Sequence, residues 1–259
     1  MKNHIIVAVL SLAFICGSCV SRKKLTYLHY SDNRTEASPE QEFRYSVTPS
    51  AYKIMPNDYL FIRVITPDPQ WSALFNMQQG EGSITMETAA LSSYAVDIDG
   101  DIEIPYVGKV RVVGKTIPEI KSRLDTVFRS YVTDAVISVR MVENNISIIG
   151  EVTVPGRYPI IKDRMTVFDA LAMAGDISSY GNRKEIQLIR PSPYGPVIKE
   201  FSLSDRSILT SELYYVMPND ILYVSPLKAR SFQVNSSVWT LFLTTLTSAF
   251  GIIAFFRTL

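Results

Sequence analysis

From Ser231 to Phe256 the chain carries no charged residue. A helix over Val238 to Phe256 would run roughly 28 Å at 1.5 Å per residue, close to the thickness of a bilayer's hydrocarbon core. The segment is not uniformly apolar. At helical spacing Thr240, Thr244, Thr247, Ser248 and Gly251 fall on one side, and Trp239, Phe242, Leu246, Phe250 and Ile253 fall on the other. Two arrangements suit that division. One is a single membrane anchor whose small residues pack against another helix. The other is one stave of a helical barrel, with hydroxyls toward a wet lumen and aromatics toward lipid. The hydroxyls also lower the hydrophobicity that would stop the segment in the first membrane it meets.

The opposite end carries a second membrane signal. Lys2 precedes an apolar run from Ile5 to Ile15, too short to span a bilayer and of signal-peptide length. Gly17-Ser18-Cys19 follows, and a small residue before a Cys at this place resembles the lipobox of bacterial lipoproteins. That resemblance implies cleavage before Cys19 and acylation of its thiol. Cys16 follows the bulky Phe14 and Ile15 and fits the cleavage step poorly. An ordinary secretory signal with two incidental cysteines is the competing reading.

Removal of residues 1–18 also removes His4 and Cys16, leaving His29 and Cys19 as the remaining His and Cys. No Cys/His metal site and no His-dependent catalytic triad can be assembled around a folded core from these. Charge is nearly balanced, with Lys+Arg 26 against Asp+Glu 25, and no basic block marks a nucleic-acid partner. The 14 Tyr suit strands and sugar contacts alike.

The middle of the chain predicts an α+β protein of two consecutive mixed α/β units. Residues 19–45 read as a lipidated tether without sustained periodicity. Residues 46–144 form a first unit. Its turn Met55-Pro56-Asn57-Asp58 leads into a strand at Tyr59 to Val64. Val96, Ile98, Ile102 and Ile104 alternate with Asp97, Asp99, Asp101 and Glu103 around Asp99-Gly100. Parity favours an odd loop with Gly100 in a left-handed bulge. The acidic cluster does not fit a calcium loop, because Gly100 falls early and Gly108 stands where the closing Glu belongs. Thr116 to Glu119 opens a helix with a capping box, and a strand at Ala135 to Val142 follows. Residues 145–230 form a second unit. It has a strand at Ile146 to Gly150, a turn at Pro155-Gly156, a Thr166-capped helix stopped by Gly175, and a strand at Ile186 to Arg190. Met217-Pro218-Asn219-Asp220 repeats the earlier turn before a strand at Ile221 to Val224. Residues 231–259 are the C-terminal membrane helix.

These residues resemble the polysaccharide biosynthesis/export family, the Wza-like outer-membrane translocons. Tyr52 through Pro56 and Asp58 is similar to the family's opening, with Asn57 where Gly is usual. Val96 to Ile102 through Pro105, Gly108 and Gly114-Lys115-Thr116 is similar to its core signature, in which Asp99 and Gly100 stand. Gly150-Glu151-Val152, Pro155-Gly156 with Tyr158, and Gly175 resemble the soluble-ligand-binding β-grasp (SLBB) module that follows in that family. The resemblance implies an outer-membrane lipoprotein, acylated on Cys19, in a homo-oligomeric ring. The ring would export capsular or exopolysaccharide through a channel of C-terminal helices. It implies an inner-membrane polysaccharide co-polymerase of the tyrosine-kinase type as partner, with no cofactor, no metal and no catalytic residue.

Two other classes compete. A periplasmic carbohydrate-binding lipoprotein would share the modules and the anchor without a pore. A glycan-cleaving enzyme would need two carboxylates, for which Asp97 and Asp101 qualify by type alone; hairpin alternation explains them better.

Overall fold

A computed structural model of the chain describes residues 26–29, 45, 47–76, 92–132, 134–228, 230, 241–249 and 251–252. Cys19, Trp239, Thr240, Phe250 and Ile253 lie outside the described residues. The fold is mixed α and β, with two hydrophobic clusters in sequence order.

The first cluster forms on strand β1 (Tyr59–Ile65), which alternates buried Leu60, Ile62 and Val64 with exposed partners. It lies between β2 (Tyr94–Ala95) and β5 (Val136–Met141), both antiparallel to it. Helix α1 (Pro69–Phe75) precedes β2 and brings Phe75 edge-on to Phe128, with Trp71 stacked on its outer side. Strands β3 (Asp101–Ile104) and β4 (Gly108–Arg111) make a hairpin through Pro105–Val107. Helix α2 (Ile117–Phe128) buries Ile120, Leu124 and Phe128, spaced by four, against this core. Its start is held as the capping-box spacing predicts: Glu119 Oε2 accepts from the Thr116 amide at 2.7 Å and from its hydroxyl at 2.9 Å.

The hairpin differs from the sequence-based expectation. Ile98 is 85% exposed at a turn, in keeping with an odd loop of Ile98, Asp99 and Gly100, but the strand before that loop ends at Ala95, short of Val96 and Asp97, which were expected to pair with Ile102 and Asp101. The reason is local. The Asp97 carboxylate accepts the Asp101 amide at 2.8 Å, which closes the chain on itself before a ladder forms.

The second cluster fills one face of a five-stranded sheet. Its order is β7 (Gly156–Pro159), β6 (Asn145–Gly150), β10 (Ile221–Pro226), β8 (Gly181–Arg190), β9 (Val197–Phe201). The β6–β10 pair is parallel and the others antiparallel. Helix α3 (Val167–Met173) and two short 3₁₀ turns (Arg206–Thr210, Glu212–Tyr214) cover that face. Thr166 and Asp169 form a reciprocal capping box at the start of α3. A Schellman arrangement ends it: Asp176 N–H donates to Leu171 O and Gly175 N–H to Ala172 O.

Residues 26–29, expected to be part of a free tether, pack on the second cluster. The Leu28 amide donates to Leu203 O at 3.0 Å, the His29 amide to Ser204 O at 2.6 Å, and Arg206 Nε to Leu28 O at 3.0 Å. Tyr27 lies edge-on to Phe168, beneath the Arg183 guanidinium at 4.9 Å, and its hydroxyl donates to Asp176. Burial, with Asp176 beside it, pushes the Tyr27 phenol up to about 12.

Candidate functional site

The repeated Met-Pro-Asn-Asp sequence builds the same turn twice. In each, Pro fixes φ at the second position and Asn takes a positive φ at the third, 70° for Asn57 and 63° for Asn219. Asn tolerates that region among side-chain-bearing residues, so Asn57 keeps the turn where the resembled family has Gly. Asp closes the turn by accepting the Met amide, at 2.8 Å for Asp58 and 2.7 Å for Asp220. The turn backbones dock alike. Asn57 N–H donates to Val96 O and Val96 N–H to Asp58 O; Asn219 N–H donates to Asn145 O and Ser147 N–H to Asp220 O. The two turns also meet, because Asn219 Nδ2 donates to Asp58 Oδ1 at 3.3 Å.

Their electrostatics differ. Asp220 is fully buried and receives Arg190 through two bonds, Nε at 2.9 Å and Nη2 at 2.7 Å. Asp58 is almost as buried but has neutral partners, with the Tyr52 hydroxyl at 2.9 Å from Oδ2. Burial therefore raises the Asp58 carboxyl above its usual range, against the pull of hydrogen bonds from Met55, Tyr52 and Asn219. Burial, and then the facing carboxylate, raise the Tyr52 phenol as well.

Around Asp99-Gly100 the chain folds back tightly. Gly100 has φ +88°, its amide donates to Asp97 O, and its carbonyl accepts from Val112 N–H and Val113 N–H. A Cβ at Gly100 would stand 2.3 Å from Val113 Cγ1, so both backbone and space demand glycine. Asp97 pairs with Lys109 at 3.5 Å and Asp101 with Arg111 at 3.6 Å, on the surface. The Asp101 amide holds Asp97 below the usual carboxylate range. The Asp97 carboxylate closes the turn on the Asp101 amide, and both carboxylates face cations. Pro105 and Gly108 sit at the β3–β4 turn. Among the described residues no group of three or more His, Cys, Asp or Glu is placed to hold a metal.

In the second unit Pro155 and Gly156 lead into β7, and Gly175 stands in the Schellman ending of α3. Gly150 ends β6 with φ +91°, and a Cβ there would meet Val224 O at 2.2 Å and the Tyr223 ring at 3.0 Å. Both β6 and β10 start beside the Asp58 turn and run away from it. At their far end β10 leaves the sheet, with Pro226 opposite Gly181 and Arg230 on Glu151 at 2.9 Å. Tyr27 is held at that same far end, on Asp176 and Arg183.

Residues 241–249 and 251–252 are helical and exposed. Phe242 and Leu246 lie away from Thr244, Thr247, Ser248 and Gly251, as helical spacing requires. The hydroxyls bond back to their own helix: Thr244 to Leu241 O at 2.9 Å, Thr247 to Leu243 O at 2.9 Å. Among the described residues no helix is long and apolar enough to cross a membrane; the rest of the expected span lies outside them.

Comparison with known proteins fits this arrangement. Residues 46–142 match the family model described as polysaccharide biosynthesis/export protein. The chain is 33% identical over 105 residues to the EPS I polysaccharide export outer membrane protein EpsA of Ralstonia nicotianae, covering 39% of this chain and 28% of the relative. It is 25% identical over 126 residues to the capsule polysaccharide export outer membrane protein CtrA of Neisseria meningitidis, covering 48% of this chain and 32% of the relative. The matched stretch thus spans less than a third of either relative's length. Residues 46–142, which contain the first turn, the Gly100 loop and the β3–β4 hairpin, are the part of the chain that is similar to the polysaccharide biosynthesis/export protein family.

Proposed function

We propose that this chain is an outer-membrane lipoprotein that exports capsular or exopolysaccharide as one subunit of an oligomeric channel, and that it performs no catalysis. The observation that carries the reading is the export-family match on a chain whose Tyr27 and Arg230 lie at one end of the second unit; the two membrane attachments of this reading precede the one and follow the other. Cys19, eight residues before Tyr27, can reach a surface within about 28 Å of that end, at 3.3–3.6 Å per extended residue. The segment after Arg230 starts from the same place. The first unit hangs from the opposite end, toward the periplasm and the inner-membrane co-polymerase of the tyrosine-kinase type. In this reading residues 1–18 are the signal, 19–45 the lipidated lead, 46–144 the export domain, 145–230 a β-grasp (SLBB) module and 231–259 the membrane helix. Copies assemble as a homo-oligomeric ring. Thr240, Thr244, Thr247, Ser248 and Gly251 line the passage, and Trp239, Phe242, Leu246, Phe250 and Ile253 meet lipid.

One observation favours a second reading, the carbohydrate-binding lipoprotein without a pore. The Thr hydroxyls already bond to their own helix, so they do not require a wet lumen. Deletion of the residues after Ser231 separates the two. A channel subunit loses surface polysaccharide although the truncated lipoprotein still reaches the membrane fraction. Undiminished polysaccharide at the cell surface in that strain would remove the channel reading.

A further inference from the structure

The second unit has two layers, so only one face of its sheet is covered by α3 and the 3₁₀ turns. The other face is open and apolar. Ile221, Ile189 and Ile198 lie in one row across β10, β8 and β9, since Ile221 opposes Ile189 and Ile189 opposes Ile198. Ile149 and Tyr223 oppose each other in the next row. Ile198 is 63% exposed and Ile149 43% exposed. A half-covered antiparallel sheet ordinarily turns polar residues to water, so this row of β-branched side chains needs an account. On the far side of the unit, beyond α3, is an apolar groove of about 330 Å³ lined by Ile161, Met165, Ala172 and Met173, with Lys162 and Asp169 at its rim. Ile161 there is 74% exposed. The unit therefore carries a raised apolar row on one face and an apolar hollow on the opposite face.

Three features identify the occupant. The strands run from the first unit toward the end that holds Tyr27 and Arg230, so with that end at the membrane both faces of the sheet point sideways, along the membrane plane. Copies anchored in one membrane stand side by side with the same end up, and each presents its row to its neighbour's hollow. On charge, Glu185 and Glu200 are exposed on the open face, and Arg164 is exposed beside the groove, where Lys162 is paired with Asp169 at 3.0 Å and Asp163 stands between the two cations. We propose that the open face of the five-stranded sheet docks into the α3 groove of a second copy of this chain. The contact joins two different surfaces, so it repeats around a ring and does not stop at a pair. The proposal rests on the oligomeric reading above and adds to it the surface that builds the ring.

The test uses the full chain extracted in detergent, with Ile198→Cys and Ala172→Cys made singly and together. Both positions are exposed, so neither change disturbs the core. Mild oxidation should give a ladder of cross-linked multimers from the double variant and no new cross-link from either single variant. Ile198→Asp should reduce the particle mass to that of one chain with an unchanged melting curve. Cross-linking of Ile198→Cys to itself would mean two like faces meet, and would overturn the proposal. An oligomeric particle without a ladder would also overturn it, while leaving the channel reading intact. A wild-type particle with the mass of one chain would overturn both.

Discussion

Single residues differ in how much of their role is visible in the sequence. Gly100 is legible: an odd loop between alternating segments leaves one position that must take positive φ, and there φ is +88°. Its contact with Val113, thirteen positions on, follows only from the fold. Gly100→Val should cost about 2 kcal/mol or more, combining the backbone penalty with an overlap that Val113 must relieve. Thermal melting of the variant measures it, and an unchanged midpoint would refute the turn geometry. The repeated Asp58 and Asp220 are identical in sequence, yet their partners come from distant positions and no local pattern announces them. Asp220→Asn leaves the Arg190 guanidinium facing a neutral amide in a buried place, and should cost about 3 kcal/mol. Asp58→Asn replaces a carboxylate that burial already disfavours and whose partners are neutral, so about 1 kcal/mol is expected. Equal losses in chemical denaturation would contradict this difference.

At the scale of elements, capped helices are the most legible, because Thr116 with Glu119, and Thr166 alone, mark starts by residue type, while the Asp169 half of the second capping box emerges from the structure. The strands were legible in proportion to their apolar alternation. The Gly181–Arg190 strand opens with polar and charged residues, so only its Ile186–Arg190 half shows in the pattern. Val197–Phe201 and Gly156–Pro159 pair at the sheet edges, where one strand neighbour suffices and alternation is weak. Residues 26–29 escaped because four residues cannot show a period; their strand is borrowed from Leu203–Asp205. The α3 cap carries a pH signature. Hydrogen bonds from the Thr166 amide and hydroxyl, with Lys162 nearby, hold Asp169 at about 2, below the ordinary carboxyl value. Its folded-state pKa is depressed, so its contribution is present above about pH 4 and lost as pH falls toward 2. Asp169→Asn should lower the melting temperature at pH 6, by the equivalent of about 1 kcal/mol. Near pH 2 the difference from wild type should largely close. A constant gap across that range would assign the loss to packing.

At the scale of the whole molecule, two signals at the chain ends and two units between them follow from composition and punctuation. The order of strands does not, since Asn145–Gly150 and Ile221–Pro226 become parallel neighbours across the seventy residues 151–220. The proposed channel has a direct test in the C-terminal segment. Cysteines replacing Thr244 and Thr247 should react with a membrane-impermeant thiol reagent on intact cells, and cysteines replacing Phe242 and Leu246 should not. Equal protection of all four would describe a packed anchor.

That parallel pair also decides how the molecule answers to traction. The first unit enters the second through Asn145, and the C-terminal segment departs from Pro226. Tension between the first unit and the C-terminal segment therefore pulls two adjacent strands past each other, along their length, with Ser147 to Gly150 registered against Ile221 to Val224. The hydrogen bonds of that register take the load together and cannot be unzipped one by one. A chain hung between two moving membranes, or dragged by cargo threading past it, would meet that force at the joint best disposed to resist it.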